Sequence, residues 1–370
     1  MPLRPSADRL NLARDIVVQY GWNTTAYQIL NPGIELWFSS GKRAVLGYTR
    51  SAGMLVVAGA PICASETLVS VCAEFENFAR REGRGVCYVC AEDRIRAALA
   101  GSAGHSAITL GAQPVWNPHS WPTVIHARAS LRAQLNRAIN KGVVVEAIGG
   151  PRAAGDAELR RVLEEWVEAR HLPPLHFLVE PNVLDGVLTD RMVLVARQEE
   201  KVIAFLVASP IRAREGYLVE LVARSPRAPN GTSELLIDSA MRSFAAEGCQ
   251  YATLGLVALA HAADPELENN PHWLRALMYF ARAHANRFYS FRGLEQFRLK
   301  MSPDRWDPVY AVSNESRFSL RTLYAVGGAF SGISPWIAIA LGLRKAVADE
   351  FHTLSRRWTR GDIATQSLRP

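Results

Sequence analysis

The stretch Tyr217-Leu-Val-Glu-Leu-Val-Ala-Arg-Ser-Pro-Arg-Ala-Pro-Asn-Gly231 contains the transition on which the fold depends. Its beginning is apolar apart from one glutamate and predicts a buried strand, whereas its second half is a basic loop punctuated by proline and glycine. Residues 233–247 then carry apolar side chains at helical spacing, and Gly248 ends this helix. A strand, a loop and a helix in this order predict an α/β unit.

The same order of elements is predicted twice along the chain. In the second half, we predict strands over 192–197, 202–209, 217–222, 251–256 and 309–312, and helices over 233–247 and 272–286. In the first half, a helix over 8–20 precedes strands over 34–39, 44–48, 54–58 and 86–91 and helices over 66–82 and 92–100. Each half therefore has the order β-β-β-α-β-α. We predict two α/β lobes with mixed sheets, 1–122 and 123–312, and a basic tail over 313–370.

This order resembles the acetyltransferase-like fold known as GNAT, and the resemblance implies two such lobes in tandem. In that fold, the loop after a central strand presents backbone N–H groups to a pyrophosphate at a helix N-terminus. The second half has a long basic loop there, over 223–232, whereas the first half has only Gly59-Ala-Pro-Ile62. We therefore expect the chemistry in the second half. An ordinary surface turn is the alternative for this loop.

Composition limits the classes of protein to which the chain can belong. A length of 370 residues with 49% hydrophobic side chains suits two domains and excludes a mostly disordered chain. The net charge of +7 favours an anionic partner. Cys87 and Cys90 form a CxxC on a predicted strand, and we interpret them as structural thiols, with no metal site. The first residues carry no apolar signal segment, so we expect a cytoplasmic location.

A basic helix between the lobes is a candidate for contact with RNA. Residues 128–141 contain no acidic side chain, and their cations are Arg128, Arg132, Arg137 and Lys141. Such a run favours phosphate contact, and the alternative is a solvated face of an ordinary helix.

A second basic region lies further along the chain. Residues 271–306 contain seven cations, among them Arg275 and Arg282, against two acids, and aromatic side chains are interleaved with them. This mixture suits a single-stranded RNA end, whose bases stack and whose phosphates pair with cations. Core packing is the alternative for each aromatic side chain.

The tail contains an uncharged segment between cationic flanks. Residues 322–343 carry no charge, Arg317 and Arg321 precede them, and Arg344 and Lys345 follow. Several glycines make the segment only mildly apolar, so we interpret it as an element lying on an anionic membrane surface. A membrane span and a packed helix of the fold are the alternatives.

Several segments resemble the C-terminal domain of the phosphatidylglycerol lysyltransferase family. In the second half they are the opening stretch over 217–231, Gly248-Cys-Gln-Tyr-Ala-Thr-Leu-Gly-Leu-Val-Ala-Leu259, Tyr289-Ser-Phe-Arg-Gly-Leu-Glu-Gln-Phe-Arg-Leu-Lys-Met-Ser-Pro303 and Trp306-Asp-Pro-Val-Tyr310. In the first half they are Tyr20-Gly-Trp-Asn23, Gly47-Tyr48 and Val56-Val-Ala-Gly-Ala-Pro61. The likeness covers roughly residues 15–312. One departure is that Glu220-Leu-Val-Ala223 stands where the family usually has Asp-Leu-Met-Arg, with Arg224 one step later.

The resemblance implies a function. Members of this family take an aminoacyl group from aminoacyl-tRNA and transfer it to a hydroxyl of phosphatidylglycerol at the cytoplasmic membrane face. The chain would thus be a peripheral protein of the inner face of the cell membrane, and no cofactor such as acetyl-coenzyme A is expected.

The reaction would be an ester exchange, which needs positioning, a proton acceptor and positive charge near the developing oxyanion. We assign proton acceptance or recognition of the α-ammonium to Glu220, and stabilisation of the oxyanion or a phosphate to Lys300. A structural ion pair and a solvated surface cation are the respective alternatives. The expected substrate-binding residues are Arg224, Arg227, Asn230, Gly231 and Arg298.

Three other functions stay open from the sequence. The first is a GNAT acyltransferase that uses an acyl-coenzyme A, because a loop of this kind binds a pyrophosphate. The second keeps the tRNA donor and uses a soluble acceptor. The third is a non-catalytic module that binds RNA or lipid, for which Ala223 in place of the family arginine is the supporting feature.

Overall fold

The computed structural model describes residues 5–100, 104–170, 176–284 and 291–331. Its strands are β1 (Glu35–Phe38), β2 (Val45–Ser51), β3 (Met54–Ala58), β4 (Gly85–Ala91), β5 (Ser106–Trp116), β6 (Val144–Ile148), β7 (Met192–Gln198), β8 (Lys201–Ile211), β9 (Gly216–Arg224), β10 (Tyr251–Thr253), β11 (Val257–Ala258) and β12 (Arg305–Ser313). Its α-helices are α1 (Ala7–Tyr20), α2 (Leu68–Arg81), α3 (Asp93–Leu99), α4 (Trp121–Ala127), α5 (Ala129–Ile139), α6 (Gly150–Gly155), α7 (Ala157–Glu168), α8 (Thr232–Ala246), α9 (Asp264–Leu267), α10 (His272–His284), α11 (Phe291–Lys300) and α12 (Leu320–Ser331).

The two halves of the chain repeat one unit of topology. Three antiparallel strands are followed by a helix and then by a fourth strand that is parallel to the third. In the first half these are β1, β2, β3, α2 and β4, and in the second half they are β7, β8, β9, α8 and β10. The predicted repeat of topology is therefore confirmed for this part of each half.

All the strands of the described residues nevertheless belong to one mixed sheet. The prediction that each lobe has a mixed sheet of its own is therefore wrong. The strand order is β1-β2-β3-β4-β12-β5-β10-β9-β8-β7-β6, with β11 paired to β5. β12, which the pattern assigns to the second half, lies between β4 and β5, and nine residues of β12 pair with β5. β5 in turn pairs with β10, so it joins the two halves. The division of the chain at residue 122 stays a prediction.

The central strands send alternate side chains into two different cores. In β3, Met54 and Val56 contribute to one core, whereas Leu55 and Val57 contribute to a second core that α2 covers. In β8, Leu206 packs with α5 and α8, and the next residue, Val207, packs with α7. Because side chains along a strand point to opposite faces, helices cover both faces of the sheet.

The beginning of the uncharged segment of the tail is a packed helix of the fold. α12 buries Thr322, Ala325, Val326 and Ala329, and the three apolar residues among them join the core of the first half. The interpretation of 322–343 as an element on the membrane surface is therefore wrong for residues up to 331, because these side chains contact protein. Residues 332–343 lie outside the described residues. Within the described ranges, no helix is both long and apolar enough to span a membrane.

The interpretation of Cys87 and Cys90 as buried thiols is confirmed. The two residues share one core because Cys90 has a φ of 56°, which interrupts the alternation of β4. Burial raises the pKa of the Cys90 thiol to about 12, so this thiol stays protonated and unreactive at neutral pH. In the described part of the chain, no three His, Cys, Asp or Glu side chains are grouped as metal ligands.

Candidate active site

The loop between β9 and α8 is anchored at its start. The Ser225 N–H donates to the Ile203 carbonyl of β8 at 2.9 Å. The Ser225 hydroxyl donates to the Glu165 carboxylate of α7 at 2.6 Å, and this hydrogen bond lowers the pKa of Glu165 below its usual value. The loop is thus fixed between a strand and a helix before it reaches α8.

Gly231 lets the backbone of α5 approach the first turn of α8. Its φ is 96°, in the left-handed region, and a Cβ atom there would lie 2.0 Å from the carbonyl oxygen of Gln134. Any other residue would therefore push α5 away from α8. Gly231 is also the residue before the helix and has no side chain to cap it, so the N–H groups of the first turn of α8 can bind an anion.

A cleft of about 290 Å³ opens at this contact between α5 and α8. Its lining residues are Gln134, Arg137, Arg224, Asn230, Gly231, Ser233, Glu234 and Phe297. The structure thus brings together Arg224, Asn230 and Gly231, which the sequence predicts as substrate-binding residues, and adds Arg137 of the basic helix.

Lys300, the last residue of α11, lies beside this cleft. Its Nζ atom is 2.9 Å from an oxygen of Glu234, which belongs to the first turn of α8. The Lys300 side chain is 27% exposed, so the ammonium group contacts both the carboxylate and solvent. The arrangement places a fixed point charge where an anionic group could approach the start of the helix.

Arg224 connects the cleft to a second one of about 420 Å³. Both clefts are lined by Arg224 and Ser233, and the second is also lined by Trp166, Ala169, Arg170, Val222 and Pro226. The Arg170 guanidinium carbon lies 3.4 Å from the centre of the Trp166 ring. The two clefts therefore form a groove with a polar side and a partly apolar, aromatic side.

Glu220 lies outside the residues that line these clefts. It is the extra residue of a β-bulge in β9, because Val219 and Leu221 pair with the adjacent residues Ala208 and Val207. The Glu220 carboxylate is 3% exposed and accepts hydrogen bonds from three side chains: Arg191 at 3.0 Å, Asn31 at 2.6 Å and Ser209 at 2.5 Å.

These contacts place Glu220 in a structural ion pair. Such a pair is the alternative, left open by the sequence, to a role of Glu220 in proton acceptance or recognition of the α-ammonium. The Arg191 side chain is fully buried, so each charge of the pair compensates the other. Asn31 comes from the first half of the chain, and the pair therefore also links the two halves. The structure does not bring Glu220 into the cleft beside Lys300.

Arg298 and Arg227 differ from each other as candidates for substrate binding. The buried Arg298 guanidinium donates to the carbonyl oxygens of Leu254 at 2.6 Å and Gly255 at 2.8 Å, which fixes the chain after β10. The geometry thus gives Arg298 a structural role, and its expected role in substrate binding stays a prediction. Arg227 lies in the loop before α8 with an exposed side chain.

The cations of the basic helix lie on the surface at α5 and its flanks. Arg128 contacts Ser302, and Arg132 donates to the carbonyl of Ile125 at 3.0 Å, while Lys141 follows the helix and is exposed. Arg137 belongs both to this helix and to the cleft. The step of five residues from Arg132 to Arg137 turns these two side chains toward different sides of α5, and of the four cations Arg137 lines the cleft.

Arg275 and Arg282 of α10 contact protein groups. Arg275 contacts His272, and Arg282 donates to the Leu259 carbonyl at 2.7 Å and to Asp264 at 2.8 Å. The Asp264 carboxylate compensates the charge of Arg282, whereas the named partners of Arg128 and Arg132 are neutral, so the geometry favours α5 over α10 as the site of phosphate contact.

Sequence reasoning missed Gln134, Ser233, Glu234 and Phe297 of the cleft. Glu234 has a signal that could have revealed it, because an acidic residue in the first turn of a helix stabilises the positive end of the helix dipole and attracts a cation. Gln134 and Phe297 have no such signal. They are brought to the cleft by the packing of α5 and α11 beside α8, which the sequence does not show.

Fold and cleft together define an α/β domain with one mixed sheet and a basic cleft at a helix N-terminus, and comparisons with known proteins identify its family. Residues 14–313 match the family model described as phosphatidylglycerol lysyltransferase, C-terminal. A phosphatidylglycerol lysyltransferase of Staphylococcus haemolyticus is 22% identical over 304 residues, which are 82% of this chain and 35% of that protein. The chain thus spans about a third of the length of this curated relative.

Solved structures show the same fold. The structure of L-PGS from Bacillus licheniformis has a TM-score of 0.70 at 21% identity and covers 89% of this chain and 98% of that one. A crystal structure of FemX has a TM-score of 0.50 at 9% identity and covers 86% of this chain and 98% of that one. The chain belongs to the phosphatidylglycerol lysyltransferase C-terminal domain family.

Proposed function

We propose that the chain transfers an aminoacyl group from aminoacyl-tRNA to a hydroxyl of phosphatidylglycerol. The observation that carries the proposal is the cleft at the start of α8, where Arg137, Arg224 and the Lys300–Glu234 pair lie around N–H groups of a helix N-terminus. The names of the relatives, which are called phosphatidylglycerol lysyltransferases, supply the lipid acceptor and an amino acid as the transferred group, while the aminoacyl-tRNA donor is what the family resemblance implies.

The reaction exchanges one ester for another. The acceptor hydroxyl attacks the aminoacyl carbonyl carbon, the bond from that carbon to the tRNA ribose oxygen breaks, and the proton of the acceptor passes to the departing ribose oxygen. Lys300 stabilises the oxyanion that develops on the carbonyl oxygen. Glu234, rather than the buried Glu220, is the carboxylate of the cleft, and it positions the Lys300 ammonium.

The donor would bind along α5. Arg128, Arg132 and Lys141 contact tRNA phosphates, and Arg137 leads the aminoacylated end into the cleft. Arg224 and Arg227 hold phosphate of the donor or of the lipid headgroup beside the first turn of α8. The chain would act as a peripheral protein at the inner face of the cell membrane, where both substrates are present.

The test uses aminoacyl-tRNAs labelled in turn on each amino acid. The full chain is incubated with each of them and with phosphatidylglycerol vesicles, and the label is followed into the lipid extract. We expect labelled lipid from at least one donor and no label from ribonuclease-treated donor. Label on a soluble amine or hydroxyl instead of lipid would favour the soluble-acceptor function. Binding of coenzyme A with no transfer from any aminoacyl-tRNA would favour the acyltransferase.

A further inference from the structure

α10 exposes large apolar side chains on its outer face. Ten large hydrophobic residues are exposed among the described residues, and four of them lie on this one helix. They are Trp273 at 37%, Leu277 at 43%, Tyr279 at 62% and Phe280 at 62% of their full exposure. Together with the exposed Ala276 they form what we call the α10 outer face. A concentration of this kind on one element is typical of a contact surface.

The helix geometry separates this face from the side that packs on the protein. Leu274 is buried and joins the core of the first half, and Met278, four residues later, packs against the same core. Trp273, Leu277 and Phe280 follow each other at spacings of four and three, so they share one side of the helix. Both sides of α10 are therefore apolar, and on the outer side Trp273, Leu277 and Tyr279 keep 37%, 43% and 62% of their exposure.

The charges near α10 decide what can cover the outer face. None of its five residues is charged, while Arg275 and Arg282 point along the protein to His272 and Asp264. An RNA strand would leave its phosphates without cations on this face, so base stacking alone would have to hold it. Hydrocarbon requires no such partner, and Trp and Tyr are the residues enriched at the boundary between headgroups and acyl chains.

We propose that the α10 outer face inserts into the surface of an anionic phospholipid bilayer. The inference rests on the proposed function in one respect, namely that the acceptor is a membrane lipid. The net charge of +7 attracts the chain to anionic headgroups. α10 is also the helix before α11, which carries Phe297 of the cleft and Lys300, so this contact would hold the α11 side of the cleft near the lipid.

The test compares two double variants of the full chain in sedimentation with vesicles, without tRNA. Trp273→Glu/Leu277→Glu places two carboxylates on the α10 outer face. Val69→Glu/Val144→Glu makes the same kind of change at exposed positions of α2 and β6. With vesicles of equimolar phosphatidylcholine and phosphatidylglycerol, we expect the α10 variant to bind at least about tenfold more weakly than the wild type, because apolar burial is lost and repulsion is added. We expect the control variant to bind like the wild type.

A spectroscopic measurement addresses the orientation of the helix. Lipids brominated in their acyl chains should quench Trp273, measured as the difference between the wild type and Trp273→Phe. Thermal unfolding of each variant in solution should match that of the wild type, since all the substituted side chains are exposed. Transfer to detergent-dispersed phosphatidylglycerol should persist in the α10 variant, which separates this proposal from the proposed function.

Four results would overturn the proposal. The first two are equal vesicle binding by the α10 variant and the wild type, and an equal loss of binding in the control variant. The third is the absence of quenching of Trp273. The fourth is a loss of self-association or of tRNA binding by the α10 variant while its vesicle binding stays intact. The last result would assign the face to a second copy or to RNA.

Discussion

At the scale of single residues, Glu220 and Glu234 have opposite surroundings. Glu220 is buried against Arg191 at a bulge of β9, whereas Glu234 lies in the cleft and pairs with the partly exposed Lys300. A buried ion pair fixes structure, while a pair at the rim of a cleft can exchange its partner for a substrate. The strand pattern alone could not distinguish the two glutamates.

Glu220→Gln should destabilise the fold. The substitution leaves the Arg191 guanidinium buried without its counter-charge, and the loss of one partner from such a pair costs about 3 kcal/mol or more. The free energy of unfolding in urea measures this, with the exposed Glu199→Gln as the matched control. Wild-type stability in Glu220→Gln together with slow transfer would instead restore Glu220 as the proton acceptor.

At the scale of elements, α5 is the helix that we expect to carry tRNA. A variant with Arg128, Arg132, Arg137 and Lys141 replaced by Ala should bind tRNA more weakly and with a shallower salt dependence. The slope of log K against log salt should fall by about 0.9 for each phosphate that the protein no longer neutralises. Filter binding over a series of salt concentrations provides the measurement.

The matched control replaces four exposed cations of the first half of the chain, namely Lys42, Arg43, Arg80 and Arg81. It removes the same net charge from a different surface. Equal reductions in affinity in the two variants would mean that net charge alone holds the tRNA and that α5 is no specific site.

α12 should be required for stability. A chain that ends at residue 315 removes Phe318, Val326 and Ala329 from the core of the first half, and full burial of a large apolar side chain contributes roughly 1.5–3 kcal/mol. A chain that ends at 331 keeps these side chains and serves as the control. Thermal unfolding should show a clearly lower Tm for the shorter chain only. An unchanged Tm in the chain ending at 315 would contradict the packing of α12.

The sequence predicts those elements whose apolar pattern is local. β3 matches its predicted range of 54–58, and α8 begins one residue before its predicted start. The pattern fails for β5, where Gly111, Gln113 and Pro114 interrupt the apolar alternation, although packing buries all three. The place of β12 between β4 and β5 depends on pairing across roughly two hundred residues, which no local pattern encodes.

At the scale of the whole molecule, the shared sheet should make the two halves depend on each other. A fragment of residues 1–122 lacks β12, so β4 and β5 each lack a neighbour, and a fragment of residues 123–312 keeps β12 without its partners. We expect neither fragment to fold alone, because unpaired central strands expose backbone N–H and C=O groups. NMR amide dispersion and near-UV circular dichroism measure this. A cooperative unfolding transition in either isolated fragment would show that the halves are independent domains.

The most direct test of the proposed chemistry is the single-turnover rate at which the whole chain moves a labelled aminoacyl group from tRNA to phosphatidylglycerol. Lys300→Ala should slow this step by on the order of a hundredfold or more, because the ammonium acts on charge that develops in the transition state. Lys300→Arg should recover little, since a planar guanidinium does not replace a point charge. The exposed Lys201→Ala is the matched control. We predict that Lys300→Ala binds tRNA like the wild type and transfers the aminoacyl group at a greatly reduced rate. If Lys300→Ala, with saturating lipid and donor, transfers as fast as Lys201→Ala, the role of Lys300 is contradicted.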